Sequence, residues 1–493
     1  MPGMRKGLAL FPLRRLPPSR IMLSLAFYSA LLGLWLMHGG RRVAHAPAAG
    51  TTDAARAGAV LSSLPHWSWG QRFTGTQAAA TSRQQHSTAP QKKQPNLVVP
   101  AGYPTLAELQ ARFQELVQRY PQLAHLDTIG RSSTGRHPIL AIRLTAPRPG
   151  MSDKPAFLIS ALHHAREPLG VFICHALMNR LLSNYGSSTR HTRLLDSLEI
   201  WLVPIVNPDG YEYLMTSRRE YPWWRKNLRD NNGDGSFDPL SDGVDLNRNY
   251  GYNWSEGGED EPGSWFYRGP EPFSEPEIRA LRQLALHKRF VMGISYHSYG
   301  EAILYPWGNY TPPPDQQLIL DIAEKCAARI ERFSGPGCYS ILPLNGRAGQ
   351  SSVWMYGALG TVDFIIETGE EYFPSLADAD RIVEQNLPGA FYLLERALGA
   401  GICGRVVDDE TGEPVPARIH VAGLEADHVQ PRQANGREGW FQRLLLPGTY
   451  AIEVRVPDYE PARFFNVLVR DQHMTSLHVG LKRMNGRTSG NSH

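Results

Sequence analysis

AFLISALHHAREPLGVFICHALMNRLL, residues 156–182, is the stretch on which the fold turns. Ala156–Leu162 is a largely apolar segment, interrupted only by Ser160, that reads as a strand. Pro168 suits the first turn of a helix, where no backbone donor is needed, and Leu169–Leu182 carries apolar residues at helical spacing. The chain therefore passes from strand to helix through His163–Glu167. Open α/β sheets place ligands at such turns, beyond the carboxyl ends of their strands. His164 and Glu167 stand there as an imidazole and a carboxylate at His-x-x-Glu spacing. With 17 histidines in the chain that spacing alone is a weak signal, and its position in the turn carries more weight.

Strand and helix patterns alternate on both sides of this unit. Leu106, Leu109, Phe113, Leu116 and Val117 recur at helical spacing and Pro121 ends the pattern. Pro138–Leu144 reads as extended, and further apolar strands, including Phe290–Ser295 and Val362–Ile366, continue to about Leu398. The predicted class is α/β, with a mixed central sheet flanked by helices. From Gly401 the texture changes to short β-type runs at Gly404–Val407, Arg418–Val421, Trp440–Leu445, Tyr450–Val456, Phe464–Val469 and Leu477–Leu481. Turn signals separate them, so a small all-β sandwich is expected over residues 400–484, followed by a loose tail at 485–493.

The 493 residues exceed one ordinary domain, and 42% hydrophobic content allows a substantial core. The formal net charge is only +4, without a basic stripe interleaved with aromatics, so no nucleic-acid partner is expected. Residues 1–20 are basic and residues 21–38 apolar, a pattern fitting a signal peptide or an uncleaved membrane tether with export of everything downstream. Residues 39–98 read as a flexible linker and 99–399 as the main domain. Four cysteines are too few for a disulfide scaffold; Cys326 and Cys338 are close enough in sequence to bridge, and Cys174 lies in an apolar helical pattern.

Several other residues sit where chemistry is done. His297 follows the Phe290–Ser295 run and is either a third metal ligand or a hydrogen-bonded structural histidine. Glu367 ends Val362–Ile366, placed to project from a strand end as a base or to hold a buried salt bridge. Arg225, beside two tryptophans, is placed for a simple cation–π contact. Asn247-Arg248 combines an amide with a guanidinium fork able to grip a carboxylate. Asp230-x-Asn232-x-Asp234-Gly235 begins like a calcium loop, but Ser241 stands where a bidentate glutamate belongs, so an Asx-turn-rich surface loop is the preferred reading.

HAREPLG, NPDGY (207–211), WRKN (224–227), GVDLNRNY (243–250), YRGPEPFSEPE (267–277), SYHSYG (295–300), LYPWG (304–308) and IIETG (365–369) together resemble the zinc metallocarboxypeptidases, the carboxypeptidase A/B/T branch in particular, over roughly residues 100–398. The resemblance implies one Zn²⁺ held by His164, Glu167 and His297, with His163 a competitor that lacks the spacing to Glu167. It further implies Glu367 as general base, Arg225 as oxyanion donor, Asn247 and Arg248 as the terminal-carboxylate pair, and Arg166 on a more distant subsite. Ser298, Tyr299, Leu304 and Gly308 fall at substrate-binding positions; with Ser352 the side-chain pocket carries no charge, so neutral or apolar terminal residues are expected. The family's mobile tyrosine falls on Asn345, or on Leu342 if an insertion is allowed, leaving Tyr339 or Tyr356 as substitutes. A second family arginine is Pro222 here, with Arg218 and Arg219 as compensating cations. The opening and core of the C-terminal segment, GRVVDDETGEPVPARI and LPGTYAIEV, look like the transthyretin-like domain behind some carboxypeptidases. The reading is an exported carboxypeptidase acting on peptide or protein C-termini, with peptidoglycan stem peptides as the alternative substrate and a catalytically weak C-terminus binder as the non-enzymatic rival.

Overall fold

The computed structural model describes residues 99–147, 154–217, 220–307, 311–344 and 348–484. The predicted signal or anchor segment, the linker and the tail lie outside them. Among the described residues no helix is long and apolar enough to cross a membrane.

Eight strands form one mixed sheet: β1 (Ala124–Arg131), β2 (Pro138–Leu144), β3 (Ala156–Ala161), β4 (Glu199–Val203), β5 (Met292–His297), β6 (Ala302–Tyr305), β7 (Ser340–Pro343) and β8 (Val362–Glu367). Their order across the sheet is β1-β2-β4-β3-β5-β8-β6-β7. The central β4, β3, β5 and β8 run parallel, and antiparallel strands flank them. β3 and β5 are buried at every position, as expected of central strands covered on both faces. One apolar cluster contains Phe157, Ile159, Ile294, Phe364 and helix Leu169–Ser183; the other contains Leu158, Ile278, Leu281, Trp354 and Leu359.

This strand order sets the site's position. From β3 the chain moves to β4 on one side, then crosses to β5 on the other, so the connections diverge at the carboxyl end of β3. The predicted strand 156–162 stops one residue early, because Leu162 takes the left-handed conformation (φ 57°) and turns the chain out of the sheet. Helix Leu169–Ser183 then lies close against the sheet at Gly170, where an ideal Cβ would stand 2.6 Å from Tyr296 Cβ and 2.9 Å from Ala161 Cβ.

Seven further strands follow. β9 (Gly401–Asp408), β12 (Trp440–Leu444) and β15 (Met474–Leu481) make one sheet; β10 (Arg418–Val421), β11 (Arg432–Gln433), β13 (Gly448–Arg455) and β14 (Ala462–Val469) make another. Ile402, Val406 and Phe441 from the first share one apolar cluster with Ile419, Ile452 and Val454 from the second. Arg432 joins these sheets to the α/β body. Its buried guanidinium donates to the carbonyls of Phe290 (2.6 Å), Leu359 (3.3 Å) and Arg289, and to Thr361 Oγ1 (3.3 Å). Burial, then Arg289 and Arg443, push its pKa down to about 9.

Cys326 and Cys338, close enough in sequence to bridge, are both free thiols. Cys326 is buried with its thiol toward Gly389 O (3.7 Å), whereas Cys338 is exposed with its thiol toward Ala328 O (3.7 Å), so the two face different surroundings. Cys174 is buried, in keeping with its helical pattern.

Gly170→Ala is expected to destabilise the protein by about 1–3 kcal/mol, because an added methyl must push the helix off β3 and β5. Thermal denaturation reads this as a lowered Tm, and an unchanged Tm would contradict the close approach.

Candidate metal and substrate site

The carboxyl ends of β3, β5 and β8 bring the predicted groups together. His164 leaves the turn after β3, Glu167 immediately precedes Pro168 and its helix, and His297 is the last residue of β5. Glu167 Oε2 lies 2.9 Å from His164 Nδ1 and 2.9 Å from His297 Nδ1, and the two imidazole nitrogens are 3.1 Å apart. All three residues are buried. Tetrahedral ligands about 2.0–2.1 Å from zinc stand about 3.3 Å from one another. The observed separations are only slightly tighter, and three electron-rich atoms converging in a buried space call for a cation between them, so the set fits a divalent metal.

The surroundings prepare these atoms for that role. His164 presents Nε2 to Asp245 Oδ1 (3.1 Å), which assigns the proton to Nε2 and leaves the Nδ1 lone pair on the Glu167 side. His297 Nε2 has Ser295 Oγ at 3.2 Å, which holds the ring with Nδ1 toward Glu167. The neighbouring His163 is directed elsewhere, with Nε2 2.9 Å from Tyr250 Oη, so the turn separates the two adjacent histidines. Burial raises the Glu167 carboxyl, but His164 and His297 outweigh it and hold it well below the ordinary range. Burial likewise raises Asp245, and Arg225, Arg248 and His164 together hold it well below its ordinary value. Asp245 was not singled out from the sequence. The only signal was its place two residues before Asn247 in GVDLNRNY.

Arg225 is buried beside these carboxylates, its Nε donating to Asp245 Oδ2 (2.9 Å) and Nη1 standing 3.5 Å from Glu167 Oε1. Asn247 and Arg248 belong to a single 3₁₀ turn, Leu246–Arg248, capped by Asp245. Asn247 Oδ1 accepts from Ser351 N (2.9 Å) while its Nδ2 stands 3.2 Å from His297 Nε2. Arg248 Nη1 donates to Asn247 O (2.8 Å), and its guanidinium lies 5.7 Å from the Phe266 ring. Arg166 sits further out, donating to Trp223 O (3.0 Å) with its guanidinium 4.5 Å over Tyr372.

β5 and β8 pair in parallel with His297 directly opposite Glu367, placing the predicted base one strand spacing from a predicted ligand. Gly300 keeps space beside it: a Cβ there would lie 3.2 Å from Glu367 Cβ. Ser298 is buried, its N–H 3.3 Å from Glu167 Oε2 and its hydroxyl 3.1 Å from Thr368 Oγ1, so it contacts the ligand set. Tyr299 is half exposed, with its ring 4.9 Å from Tyr372. Leu304 is buried on β6 opposite Ile365; Gly308, Asn345, Arg218 and Arg219 lie outside the described residues.

Neither proposed substitute for the family's tyrosine presents its hydroxyl here. Tyr339 is buried, accepting from Gly369 N (3.3 Å) and Asn386 Nδ2 (3.1 Å), and Tyr356 is buried with its hydroxyl 3.4 Å from Asp315. The Asp230 carboxylate is taken up within its own loop by the N–H groups of Gly233 (2.7 Å) and Gly235 (2.8 Å).

Asp363 is a residue that sequence reading passed over inside an apolar strand. It is buried on β8, accepts a hydrogen bond from Ser352 Oγ, and forms no ion pair among the described residues. A Cβ on Gly293 would lie 2.1 Å from its Oδ2, so the carboxyl occupies the room that glycine leaves. Burial pushes its pKa up to about 7.

With this geometry in view, a zinc carboxypeptidase family model matches residues 109–389, more than half of the chain. Rat carboxypeptidase A2 is 31% identical over 273 residues, spanning 55% of this chain and 61% of that protein. Carboxypeptidase B of the crayfish Astacus astacus is 34% identical over 217 residues, 43% of this chain and 67% of that protein. Carboxypeptidase A of Helicoverpa armigera aligns structurally with a TM-score of 0.52 at 24% identity, over 60% of this chain and 73% of that one, a likeness of fold. The chain belongs to the zinc carboxypeptidase family. It spans about three fifths of the length of the rat relative. The family's metal is zinc, and the His164, Glu167 and His297 cluster offers it two imidazoles and a carboxylate.

Elemental analysis of the purified protein is expected to find one zinc per chain, falling well below one in His297→Ala; full zinc content in that variant would exclude His297 as a ligand. A second expectation concerns pH. Because the Asp363 pKa is raised when folded, stability from its neutral form is complete below about pH 4 and is lost as pH rises through about 7. Asp363→Asn keeps the Ser352 acceptor without the charge, so its stability relative to the parent should grow from about pH 4 to about pH 7 and then level off. Paired urea denaturations across that range test this, and a constant difference would refute it.

Proposed function

We propose that this chain is a zinc-dependent carboxypeptidase that removes the terminal residue of peptides or proteins bearing a free C-terminal carboxylate. The observation that carries the reading is the convergence of His164, Glu167 and His297 within about 3 Å of one another, with Asn247 directly against His297. Zinc held by those three residues supplies Lewis acidity and acidifies water. Glu367, opposite His297 on the next strand, takes the proton from the attacking water and delivers it to the departing amine. Arg225 directs its guanidinium at the oxygen on which negative charge develops. Arg248 and Asn247 hold the terminal carboxylate, the guanidinium through paired N–H donors, and Arg166 contacts residues upstream of the cleaved bond. Tyr299 and Tyr372 border the approach to that subsite, and Leu304 with Ser352 lines the pocket for the terminal side chain.

We further assign residues 400–484 as a transthyretin-like β-sandwich accessory domain behind a catalytic domain at 99–399. The seven strands in two sheets around one apolar cluster support that division. The basic segment 1–20 followed by the apolar segment 21–38 supports export to a periplasmic or extracellular location.

Glu367→Gln is expected to lower kcat on a blocked dipeptide by about 10²–10⁴-fold with little change in KM, because proton transfer is lost while the binding groups remain. Arg248→Ala should raise KM for the free acid. The parent enzyme should hydrolyse the free acid far faster than the same peptide with a C-terminal amide. Equal rates on acid and amide would remove the exopeptidase reading, and turnover of muropeptides in preference to ordinary peptides would redirect it to the cell wall.

A further inference from the structure

A second cavity, of about 210 Å³, lies at the opposite end of the parallel strands, between their amino-terminal ends and the C-terminal sheets. Pro155 and Ala156 at the start of β3, Glu199 at the start of β4, and Trp440 and Phe441 of β12 are among its walls. It has room for a small ion or metabolite.

Its charge is one-sided. Six lining side chains are lysine or arginine and two are glutamate. Glu199 is already shared by Lys288 (2.9 Å) and Arg143 (3.6 Å), so it offers little to the remaining cations. Arg289, held at the end of its helix in the left-handed conformation (φ 52°), forms no ion pair among the described residues. The buried Arg432 spends its donors on carbonyls and one hydroxyl and has no carboxylate partner among the described residues. Two buried donors among the lining residues, Trp440 Nε1 and Arg143 Nε, have no acceptor among the described residues. Arg437 is paired with Glu438 (3.4 Å). Buried donors without acceptors are uncommon and costly, and here they occur together with the positive charge of Arg289 and Arg432. Burial lowers both Arg289 and Arg432 from the usual arginine range, as expected of guanidinium groups lacking counterions.

We propose that this cavity is a binding site for a small phosphate-class oxyanion, either free or carried by a small metabolite, which bridges Arg289 of the α/β body to Trp440 of the C-terminal sheets. Such an anion neutralises the surplus charge and supplies acceptors to the orphaned donors. It lies at the amino ends of strands whose carboxyl ends carry the ligand cluster, so it does not touch the substrate. It acts by fastening the two sets of sheets together, and it stabilises the folded protein in proportion to its occupancy.

The test is thermal denaturation of the full chain against increasing inorganic phosphate, with sodium chloride at matched ionic strength as reference. A saturable rise in Tm with phosphate and none with chloride is expected. Arg289→Gln and Trp440→Phe, neither of them near the metal cluster, should each shift the midpoint of that rise at least tenfold while leaving peptide hydrolysis unchanged. Phosphate also stabilises proteins generally by exclusion from their surface. A non-saturating rise shared equally by parent and variants is that general effect and overturns the proposal, as does a saturable rise unaltered in both variants. A phosphorylated sugar titrated beside inorganic phosphate separates the sources, tighter binding of the sugar phosphate pointing to a metabolite and equal binding to the free ion. Should one variant fail to fold by circular dichroism, the other carries the comparison.

Discussion

The whole arrangement rests on holding three electron-rich atoms of buried residues within about 3 Å of one another. Their lone pairs repel in that geometry, and the isolated Glu167 carboxylate would be costly to bury. Two things offset the cost in the protein alone. The outer nitrogens of the imidazoles are engaged by Asp245 and Ser295, which fixes how each ring is turned. Arg225 then stands beside both Asp245 and Glu167 and balances part of their charge. A zinc ion completes the balance, and this is why the two shells are built around each other: Asp245 orients one ligand, caps the turn bearing Asn247 and Arg248, and binds Arg225.

The sheet is what makes such density affordable. Three adjacent parallel strands end at one edge, and each delivers one element of the site: the turn with His164 and Glu167 after β3, His297 on β5 and Glu367 on β8. Because β5 and β8 are in register at His297 and Glu367, the spacing of ligand and proposed base is set by strand geometry rather than by loop conformation. Helix Leu169–Ser183, close against the sheet at Gly170, fixes Glu167 from the other side. The opposite edge of the same strands carries the basic cavity and the contact with the C-terminal sheets through Arg432, so the two ends of the sheet serve different purposes.

The elements that could be read in advance were those with an uninterrupted local pattern. The bounds of β2 and β10 agree with the extended and β-type runs at Pro138–Leu144 and Arg418–Val421, and the helix after Pro168 begins where its proline and spacing indicate. β11 escaped notice because two residues make no period. The Cys326–Cys338 bridge was a matter of proximity along the chain, and one thiol turns inward toward Gly389 while the other faces outward. Asp363 and Arg432 were invisible for a common reason. A charge inside an apolar or short β pattern gives no local hint of whether it meets a counterion, a carbonyl or a glycine's empty space.

From its residues alone this chain specified the alternation of strands and helices, the change of texture at Gly401, and the presence of ligand-type side chains just beyond strand ends. Those features depend on neighbours a few positions apart, and periodicity records them. Only the tertiary structure decided that Asp245 stands behind His164, and that His297, 130 residues beyond Glu167, comes within 3 Å of it. Such contacts are made by strand order and register, which join segments remote along the chain and leave no trace in local spacing.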